Sequence, residues 1–161
     1  MALLKLSRLL TPGRVLIAPG VGDREGLFGA FAHLFEREGA IASAEDVVAR
    51  LAQREEILST GIGGGVAVPH AQLEGVGRLL VAASTHPAGL AYPSLDGKPV
   101  RLAFCLLGDV DTAPDHLAGL ARIARLARRA GDLGPLIHAA TAQEFLAVLA
   151  HLEVAGLEGE E

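Results

Sequence analysis

The stretch from Gly61 to Gly65 constrains the fold of this chain most strongly, because it holds four glycines in five residues. So dense a glycine cluster is an unfavourable interior for a helix or a strand, and the sequence therefore predicts a loop. Such a loop presents backbone N–H groups without obstruction by side chains, and successive N–H groups form concave nests that bind anions, above all phosphate. The loop lies within the segment Ser59–His70, which ends in Val-Ala-Val-Pro-His.

This segment matches neither of two common phosphate-binding motifs. No Gly-Lys-Ser or Gly-Lys-Thr follows the glycines, so the loop is not a P-loop. No strand–loop–helix context surrounds it, which excludes the dinucleotide-binding fingerprint. Any phosphate chemistry at this loop is therefore of another kind.

Pro69 and His70 close the segment and supply its reactive group. Proline fixes its own φ and restricts the residue before it, which pins the backbone that carries His70. A neutral imidazole is a good nucleophile near pH 7, because its unperturbed pKa is about 6.5. Histidine is able to take a phosphoryl group as a covalent intermediate. His70 is therefore the predicted phosphoryl acceptor.

Phosphoryl transfer also needs donors for the phosphoryl oxygens and a fixed ring orientation. Arg54 is the candidate for charge-assisted hydrogen bonds to those oxygens. A backbone carbonyl would hold the second ring nitrogen of His70 and fix its tautomer. Neutral donors are predicted from two hydroxyl groups and from the loop amides, at Ser59, Thr60, Gly61, Gly63, Gly64 and Gly65.

His116 is the second candidate histidine. It falls in the first turn of a helix predicted over 113–130, on the side of the apolar stripe. A helix N-terminus disfavours a cationic imidazole, so a neutral ring is expected that donates one N–H to a phosphoryl oxygen. That His116 lies near His70 is a hypothesis.

Composition narrows the classes of function. A net charge of −5 over 161 residues gives no general attraction for phosphate backbones, so nucleic-acid binding is not expected. Cys105 is the single cysteine, which excludes an intrachain disulfide and a cysteine zinc site and fits a reducing cytoplasm. His86, His138 and His151 lack ligand spacing, so a metal site is not expected. We also expect no cofactor. No apolar run approaches the roughly 20 residues that span a bilayer, so we expect a soluble, cytoplasmic protein.

Strand and helix signals alternate along the chain, which predicts an α/β (α+β) fold with a mixed sheet flanked by helices, in one domain over 1–161 with its core at about 7–152. Strands are predicted at 14–18, 66–68, 79–83 and 100–107. Helices are predicted at 24–38, from 43 to about 53, at 113–130, near 132–139 and from 142 to about 152. Other segments are expected to form a strand or an arm (1–10), a loop with room for a short strand (86–99) and a frayed acidic tail (156–161).

Capping residues predict where the helices begin. Asp23 and Ser43 precede the first two helices, and the pairs Thr112 with Asp115 and Thr141 with Glu144 have the spacing of capping boxes. The apolar stripe of the 113–130 helix is Leu117, Leu120, Ile123, Ala124 and Ala127. Its basic face, either solvated or a docking surface for an acidic partner, is Arg122, Arg125, Arg128 and Arg129.

With these motifs in place, the sequence resembles the type-2 Enzyme IIA domains of the bacterial phosphoenolpyruvate-dependent phosphotransferase system, the fructose, mannitol and nitrogen-regulatory class. The resemblance is strongest over Arg54–His70, where Arg-Glu, Ser-Thr-Gly-Ile-Gly and Val-Ala-Val-Pro-His fall at the family's spacing, and it extends more loosely over about 7–152. It implies that the phosphocarrier HPr phosphorylates His70, with Arg54 as the active-site arginine and His116 as the second histidine. One departure is Gly64, where the family often has Asn.

The resemblance leaves the role of the protein open. One hypothesis is a phosphoryl carrier that passes the group from His70 to a IIB domain in sugar uptake. Another is a nitrogen-branch regulatory protein whose phosphorylation state controls binding to partner proteins. A third is an anion-binding domain that has lost transfer. Simpler alternatives also exist for two residues: Arg54 as an exposed helix-end arginine, and His116 as a first-turn histidine without a role.

Overall fold

The computed structural model describes the backbone of residues 4–158 and the side chains of residues 4–154, and within this range six helices flank a six-stranded sheet. The helices are α1 (Leu6–Leu9), α2 (Arg24–Arg37), α3 (Ala44–Ile57), α4 (Ala113–Arg128), α5 (Gly134–Ile137) and α6 (Ala142–Glu158). The strands are β1 (Val15–Ile17), β2 (Gly61–Gly63), β3 (Val66–Ala67), β4 (His70–Gln72), β5 (Leu80–Leu90) and β6 (Val100–Gly108).

The sheet is mixed, as the sequence predicts, with the strand order β1-β5-β6-β3-β2 and with β4 also paired to β6. The antiparallel pair β5 and β6 forms its centre, and β1 extends it in parallel on one side. On the other side β3 and β4 follow one another in parallel along the same edge of β6. This arrangement leaves the start of β4 at the end of the sheet where β6 finishes.

The two faces of the sheet are covered by different helices, because side chains alternate between faces along each strand. Val81 of β5 and Phe104 of β6 pack into a core with α1, α4, α5 and α6. Ala82 of β5 and Cys105 of β6 pack into a second core with α2 and α3. The prediction that Cys105 is a core residue is confirmed, since its side chain is fully buried.

Several predicted helix caps are confirmed. Asp23 accepts a hydrogen bond from the Gly26 amide at the start of α2, and Ser43 accepts from the Asp46 amide at the start of α3. Thr141 accepts from the amide of Glu144 at the start of α6. Each cap satisfies an N–H group that the first helical turn leaves without a backbone partner.

The cap predicted from Thr112 and Asp115 is wrong. Thr112 makes no side-chain cap for α4; instead Asp109 and Thr112 form a capping box around the 3₁₀ turn Val110–Thr112, which leads directly into α4. Asp109 also accepts a hydrogen bond at 2.6 Å from the Gly77 amide, in the loop between β4 and β5. The carboxylate is therefore used by two segments at once, which local spacing does not reveal.

The N-terminal prediction is also corrected. Within residues 1–10 the described part forms helix α1, not a strand or arm, and residues 1–3 lie outside the described range. The carboxylate of Glu153 accepts hydrogen bonds from the amides of Leu6 and Ser7, at 2.8 and 2.9 Å. A partner 147 residues away in sequence holds this helix, so local pattern could not predict it.

Three element boundaries differ from the prediction by more than two residues. Strand β5 runs to Leu90, and an irregularity in its pairing with β6 between Thr85 and Leu90 accommodates Pro87 within the strand. Helix α3 ends at Ile57 and α6 at Glu158, so residues 156–158 of the predicted frayed tail are helical and residues 159–161 lie outside the described range. A glycine such as Gly156 costs a helix only about 1 kcal/mol and does not end it.

The surface of α4 differs from the helical-wheel prediction at two positions. Arg122, assigned to the basic face, is buried and pairs with Glu153 of α6 at 2.9 Å. Leu117, assigned to the apolar stripe, is 67% exposed. Arg122 is buried because its partner lies on α6. Leu117 faces away from the core. Among the described residues, no helix is both long and apolar enough to cross a membrane.

Candidate active site

His70 is the first residue of β4, at the edge of the sheet. It pairs with Leu106 of β6, and the Leu106 amide donates to the carbonyl of Pro69 at 3.0 Å. The Val68 amide just before donates to the carbonyl of Thr60 at 2.8 Å. The backbone that carries His70 is therefore held on both sides, while its ring is half-buried and reachable from solvent.

The hydrogen bonds of the His70 ring define its tautomer. Nδ1 lies 2.8 Å from the carbonyl oxygen of Val68, which only accepts hydrogen bonds. Nε2 lies 3.2 Å from Nε of Arg54, which only donates. A neutral ring that satisfies both contacts carries its proton on Nδ1 and its free lone pair on Nε2. The ring nitrogen that keeps a free lone pair is therefore Nε2.

The sequence hypothesis that places His116 near His70 agrees with the geometry. The two ring centroids lie 5.3 Å apart with an interplanar angle of 67°. His116 projects from the first turn of α4. This turn packs closely against the end of β6 because Gly108 has no side chain. A Cβ at Gly108 would lie 2.6 Å from Oγ1 of Thr112 and 3.4 Å from Nδ1 of His116.

Both rings are electrically neutral near pH 7. Burial lowers the pKa of His70 below 6.5, and the cation of Arg54 lowers it further, while the hydrogen bond to Val68 and the charge of Glu55 act in the opposite sense. Burial, with a smaller contribution from His70, lowers the pKa of His116 to about 4. A neutral His70 keeps its nucleophilic lone pair over the whole physiological range.

Arg54 occupies the last turn of α3 and is half-buried beside the ring. Its Nη1 donates to the carbonyl of Leu58 at 2.9 Å, and its Nε donates to His70. The guanidinium is thus anchored at one end and faces the nucleophile at the other. The Arg54 side chain thus lies within hydrogen-bonding distance of Nε2 of His70.

An open groove of about 480 Å³ lies in front of the two histidines. Arg50 and Arg54 line one wall, from α3, and the other wall comes from α4. The rim is apolar and exposed: Ile57 is 80% exposed and Leu117 is 67% exposed. The groove therefore combines cationic side chains in one wall with an apolar rim.

The hydroxyl groups predicted to bind phosphate are engaged elsewhere in this structure. The amide and the hydroxyl of Thr60 both donate to the carboxylate of Glu55, and the residue is buried. The hydroxyl of Ser59 donates to the carbonyl of Pro93 and accepts from the amide of Gly61. A phosphate-binding role for Ser59, Thr60 and Gly61 stays a prediction.

The glycine stretch does not form the open nest expected from the sequence. Gly61 to Gly63 is strand β2, and Gly64 and Gly65 turn the chain into β3 with φ values of 66° and 78°. The strand that follows this turn begins opposite Leu102 of β6, whereas His70 lies opposite Leu106. Four residues of strand span about 13 Å, so the turn lies well away from the ring. A phosphate-binding role for Gly63, Gly64 and Gly65 stays a prediction.

Gly64, the departure from the family pattern, has a structural reason. A Cβ at this position would lie 2.6 Å from the carbonyl oxygen of Ala127, near the end of α4. The Gly64 amide donates to the carboxylate of Asp96 at 3.0 Å and is therefore not free for a phosphate. Close packing of the hairpin against α4 therefore requires glycine here.

Sequence reasoning missed Glu55 and Tyr92, which lie behind the candidate site. The carboxylate of Glu55 is buried, and the hydroxyl groups of Thr60 and Tyr92 lie 2.5 Å apart next to it. Glu55 belongs to the Arg-Glu pair already quoted from the sequence. The available signal was the acidic residue that directly follows Arg54 in the sequence.

Comparisons with known proteins identify the family of this chain. Residues 8–152 match the family described as "Phosphoenolpyruvate-dependent sugar phosphotransferase system, EIIA 2". The chain is 32% identical over 151 residues to a nitrogen regulatory protein of Pseudomonas aeruginosa, covering 94% of this chain and 98% of that one. It is 27% identical over 129 residues to the fructose-specific EIIA component of Haloferax volcanii, covering 80% and 84%.

Among solved structures, the nitrogen regulatory protein IIA-Ntr from Neisseria meningitidis superposes with a TM-score of 0.81 at 31% identity. The superposition covers 89% of this chain and 98% of that one. Fold and sequence thus define one class of protein, an EIIA-type domain of the phosphotransferase system. This chain belongs to the phosphoenolpyruvate-dependent sugar phosphotransferase system EIIA 2 family.

Proposed function

We infer that this protein is a phosphohistidine carrier that accepts a phosphoryl group on Nε2 of His70 from the histidine phosphocarrier HPr. One observation carries the proposal: Nδ1–H is committed to the carbonyl of Val68, which leaves the lone pair on Nε2, facing the guanidinium of Arg54. Membership of the EIIA 2 family supports the class of reaction.

The transfer exchanges one phosphorus–nitrogen bond for another. The lone pair on Nε2 of His70 forms the new bond to phosphorus, while the bond to the donor histidine breaks and its electron pair stays on the donor ring. The proton on Nδ1 remains between the His70 ring and the carbonyl of Val68. We propose no metal and no cofactor for this step.

Arg54 has two successive roles in this proposal. In the resting protein its Nε–H covers the lone pair of Nε2, so it must give up that hydrogen bond when phosphorus approaches. Nη1 stays on the carbonyl of Leu58, so the guanidinium turns about an anchored end. The released N–H groups then bind the phosphoryl oxygens, which are stronger acceptors than an imidazole nitrogen.

His116 acts as a neutral donor in the same proposal. The centroids of the His116 and His70 rings lie 5.3 Å apart, so one phosphoryl group can contact both rings. The low pKa of His116 keeps its ring uncharged. A neutral imidazole has one N–H, which is available to a phosphoryl oxygen. Together Arg54 and His116 bind the group from two helices, α3 and α4.

The apolar rim of the groove supports docking of a protein donor. Ile57 and Leu117, which line the groove with the two histidines, are 80% and 67% exposed. Exposed apolar residues grouped around a reactive group are typical of a protein-binding surface. HPr and a downstream acceptor would use this surface in turn.

A regulatory role is the second candidate, and the comparisons favour it over sugar uptake. The nitrogen regulatory relative matches at 32% identity over 94% of this chain, against 27% over 80% for the fructose-specific relative. In this role the phosphorylation state of His70 changes partner affinity through the added charge. In the sugar role a IIB domain receives the phosphoryl group.

Incubation with Enzyme I, HPr and phosphoenolpyruvate tests the carrier proposal. The protein should take up one phosphoryl group, and His70→Ala should take up none. His33→Ala, which changes an exposed histidine of α2, is the matched control and should be labelled like the unchanged protein. Equal labelling of His70→Ala would refute the assignment.

Adding a IIB domain to the phosphorylated protein distinguishes the role in sugar uptake from the regulatory role. Rapid loss of the phosphoryl group to IIB supports sugar uptake. Retention of the group, together with capture of a non-transport protein that differs between His70→Ala and His70→Asp, supports regulation.

A further inference from the structure

Glu55 is a buried carboxylate that the phosphoryl transfer proposed above does not use. Only 7% of the residue is exposed, although it follows Arg54 directly in the last turn of α3. Its two oxygens accept hydrogen bonds from the amide of Thr60, at 3.0 and 2.9 Å, and from the hydroxyl of Thr60, at 2.7 and 3.0 Å. Burial of a carboxylate costs free energy unless donors such as these surround it. The buried charge therefore holds Thr60 close to Glu55.

The contacts of Glu55 close a turn around the anchor of Arg54. Residues 58 and 59 connect α3 to Thr60, and the carbonyl of Leu58 in this turn receives Nη1 of Arg54 at 2.9 Å. The carboxylate holds the far end of the turn at Thr60, one side chain away from the guanidinium. The hydrogen bonds between Glu55 and Thr60 therefore close the turn that carries the Leu58 carbonyl.

A second segment fixes the same turn from the other side. The hydroxyl of Thr60 donates to Glu55, so the Tyr92 hydroxyl, 2.5 Å from Oγ1 of Thr60, is the donor of that contact. Burial raises the pKa of Tyr92, which keeps its proton in place. The hydroxyl of Ser59 donates to the carbonyl of Pro93. The turn is thus tied to the chain that leaves β5.

We propose that Glu55 is a positioning residue for phosphoryl transfer: through Thr60 it holds the Leu58 carbonyl that anchors Arg54 beside Nε2 of His70. The proposal rests on the carrier function proposed above. Glu55 does not touch the reacting atoms. It acts on the chemical step through the guanidinium, and it has no part in docking because its side chain is covered.

The chemistry of the cluster requires a carboxylate. Thr60 presents two donors, its amide and its hydroxyl, to the two oxygens of Glu55. Glutamine at position 55 would offer one acceptor oxygen and turn an NH₂ group toward the donors. Glu55→Gln keeps the size of the side chain, so it weakens the hydrogen bonding to Thr60 without leaving a cavity.

Steady-state phosphorylation by phospho-HPr provides the first test. Glu55→Gln should lower kcat by about tenfold, the effect of one hydrogen bond to a charged group, with KM for phospho-HPr unchanged. Glu56→Gln removes the same charge at the exposed neighbouring position and should behave like the unchanged protein. An unchanged kcat in folded Glu55→Gln would overturn the proposal.

A double-mutant cycle separates positioning from a general structural effect. In an Arg54→Gln background, Glu55→Gln should change kcat by less than about twofold, because the group it positions is already gone. A full second tenfold loss in that background would overturn the proposal. Thr60→Val, which removes one donor, should lower kcat by about threefold, and Thr60→Ser, which keeps it, should restore the rate.

A measurement on the unphosphorylated protein keeps this inference apart from the carrier function. The Nε–H proton of Arg54 should exchange with water about tenfold faster in Glu55→Gln than in Glu56→Gln, because its anchor is loosened. Unchanged exchange would refute the positioning role even if His70 is phosphorylated normally. Failure of the unchanged protein to accept phosphoryl groups, with faster exchange in Glu55→Gln, would refute only the carrier function.

Discussion

Nε of Arg54 lies 3.2 Å from Nε2 of His70 and donates a hydrogen bond to it. The nucleophilic nitrogen is therefore covered by a cation in the resting protein, and the same cation is available to the phosphoryl oxygens once phosphorus approaches. The partner of the Arg54 Nε–H group can therefore be followed before and after transfer.

Replacement of Arg54 by Gln should slow phosphorylation of His70 by about 100-fold, because a charged donor to the phosphoryl oxygens is lost. The pKa of His70 should rise, since Arg54 is one of the groups that lower it, after burial. An imidazole titration by NMR and a rate measurement check both changes. Glu56→Gln, at an exposed position of the same helix outside the groove, is the control; a lower pKa in Arg54→Gln would contradict this account.

The rate of phosphorylation should depend little on pH between about 8 and 7. Burial, and then Arg54, lower the pKa of His70 below 6.5, so the ring stays neutral and nucleophilic over that range. The rate should fall only below the lowered pKa, where the ring takes up a proton on Nε2. A rate that already halves near pH 7 would show that the ring is not held neutral in this way.

Stability should fall in weak acid because of two buried histidines. Burial lowers the pKa of His86 to about 4, and burial together with His70 does the same for His116. The unfolded chain binds protons near pH 6.5, before the folded one, so their contribution is complete above pH 6.5 and is lost as the pH falls toward 4. Urea unfolding should show a loss of roughly 1–2 kcal/mol per histidine, less than the full shift gives because solvent screens both rings.

A variant at one histidine isolates this effect. His86→Gln should flatten the pH dependence of the free energy of unfolding between pH 6.5 and 4. His33→Gln, at an exposed position, should leave the slope unchanged. Equal slopes in both variants would contradict the assignment to His86.

Gly64→Ala should destabilise the protein by about 2–4 kcal/mol. The backbone at Gly64 has φ +66°, and a Cβ would lie 2.6 Å from the carbonyl oxygen of Ala127. Gly131→Ala is the matched control, because no atom lies within 4 Å of a Cβ at that position. Denaturant unfolding measures both, and equal stabilities would contradict the packing described for the hairpin.

Breaking the buried ion pair between Arg122 and Glu153 should cost about 3–5 kcal/mol, since it leaves one charge without its partner. Glu153→Gln should also speed amide exchange at Leu6 and Ser7, whose N–H groups donate to this carboxylate. Arg128→Met, at an exposed position of the same helix, should change stability by less than about 0.5 kcal/mol. Unchanged exchange at Leu6 in Glu153→Gln would contradict the account of α1.

Local pattern predicted the parts of the fold that local interactions determine. Apolar spacing and the caps at Asp23 and Ser43 located α2 and α3, and the apolar run at 100–107 located β6. Pro69-His70 singled out the residue that the structure places at the edge of the sheet beside Arg54. These features depend on neighbours within a few residues, which a sequence displays directly.

Features that depend on distant partners were out of reach. Glu153 holds α1 from 147 residues away and removes Arg122 from the basic face of α4. Thr60 has the right residue type for a phosphate ligand, yet its donors face Glu55. Donor chemistry can be read from a sequence, whereas the direction in which a donor points depends on the packed fold.

The nitrogen that carries the phosphoryl group tests the central claim most directly. Ring-nitrogen NMR of the protein phosphorylated by HPr should show the group on Nε2 of His70, with Nδ1 still protonated toward the carbonyl of Val68. The other five histidines of the chain should remain unmodified. A phosphoryl group on Nδ1 of His70, or on any other histidine, would contradict the account.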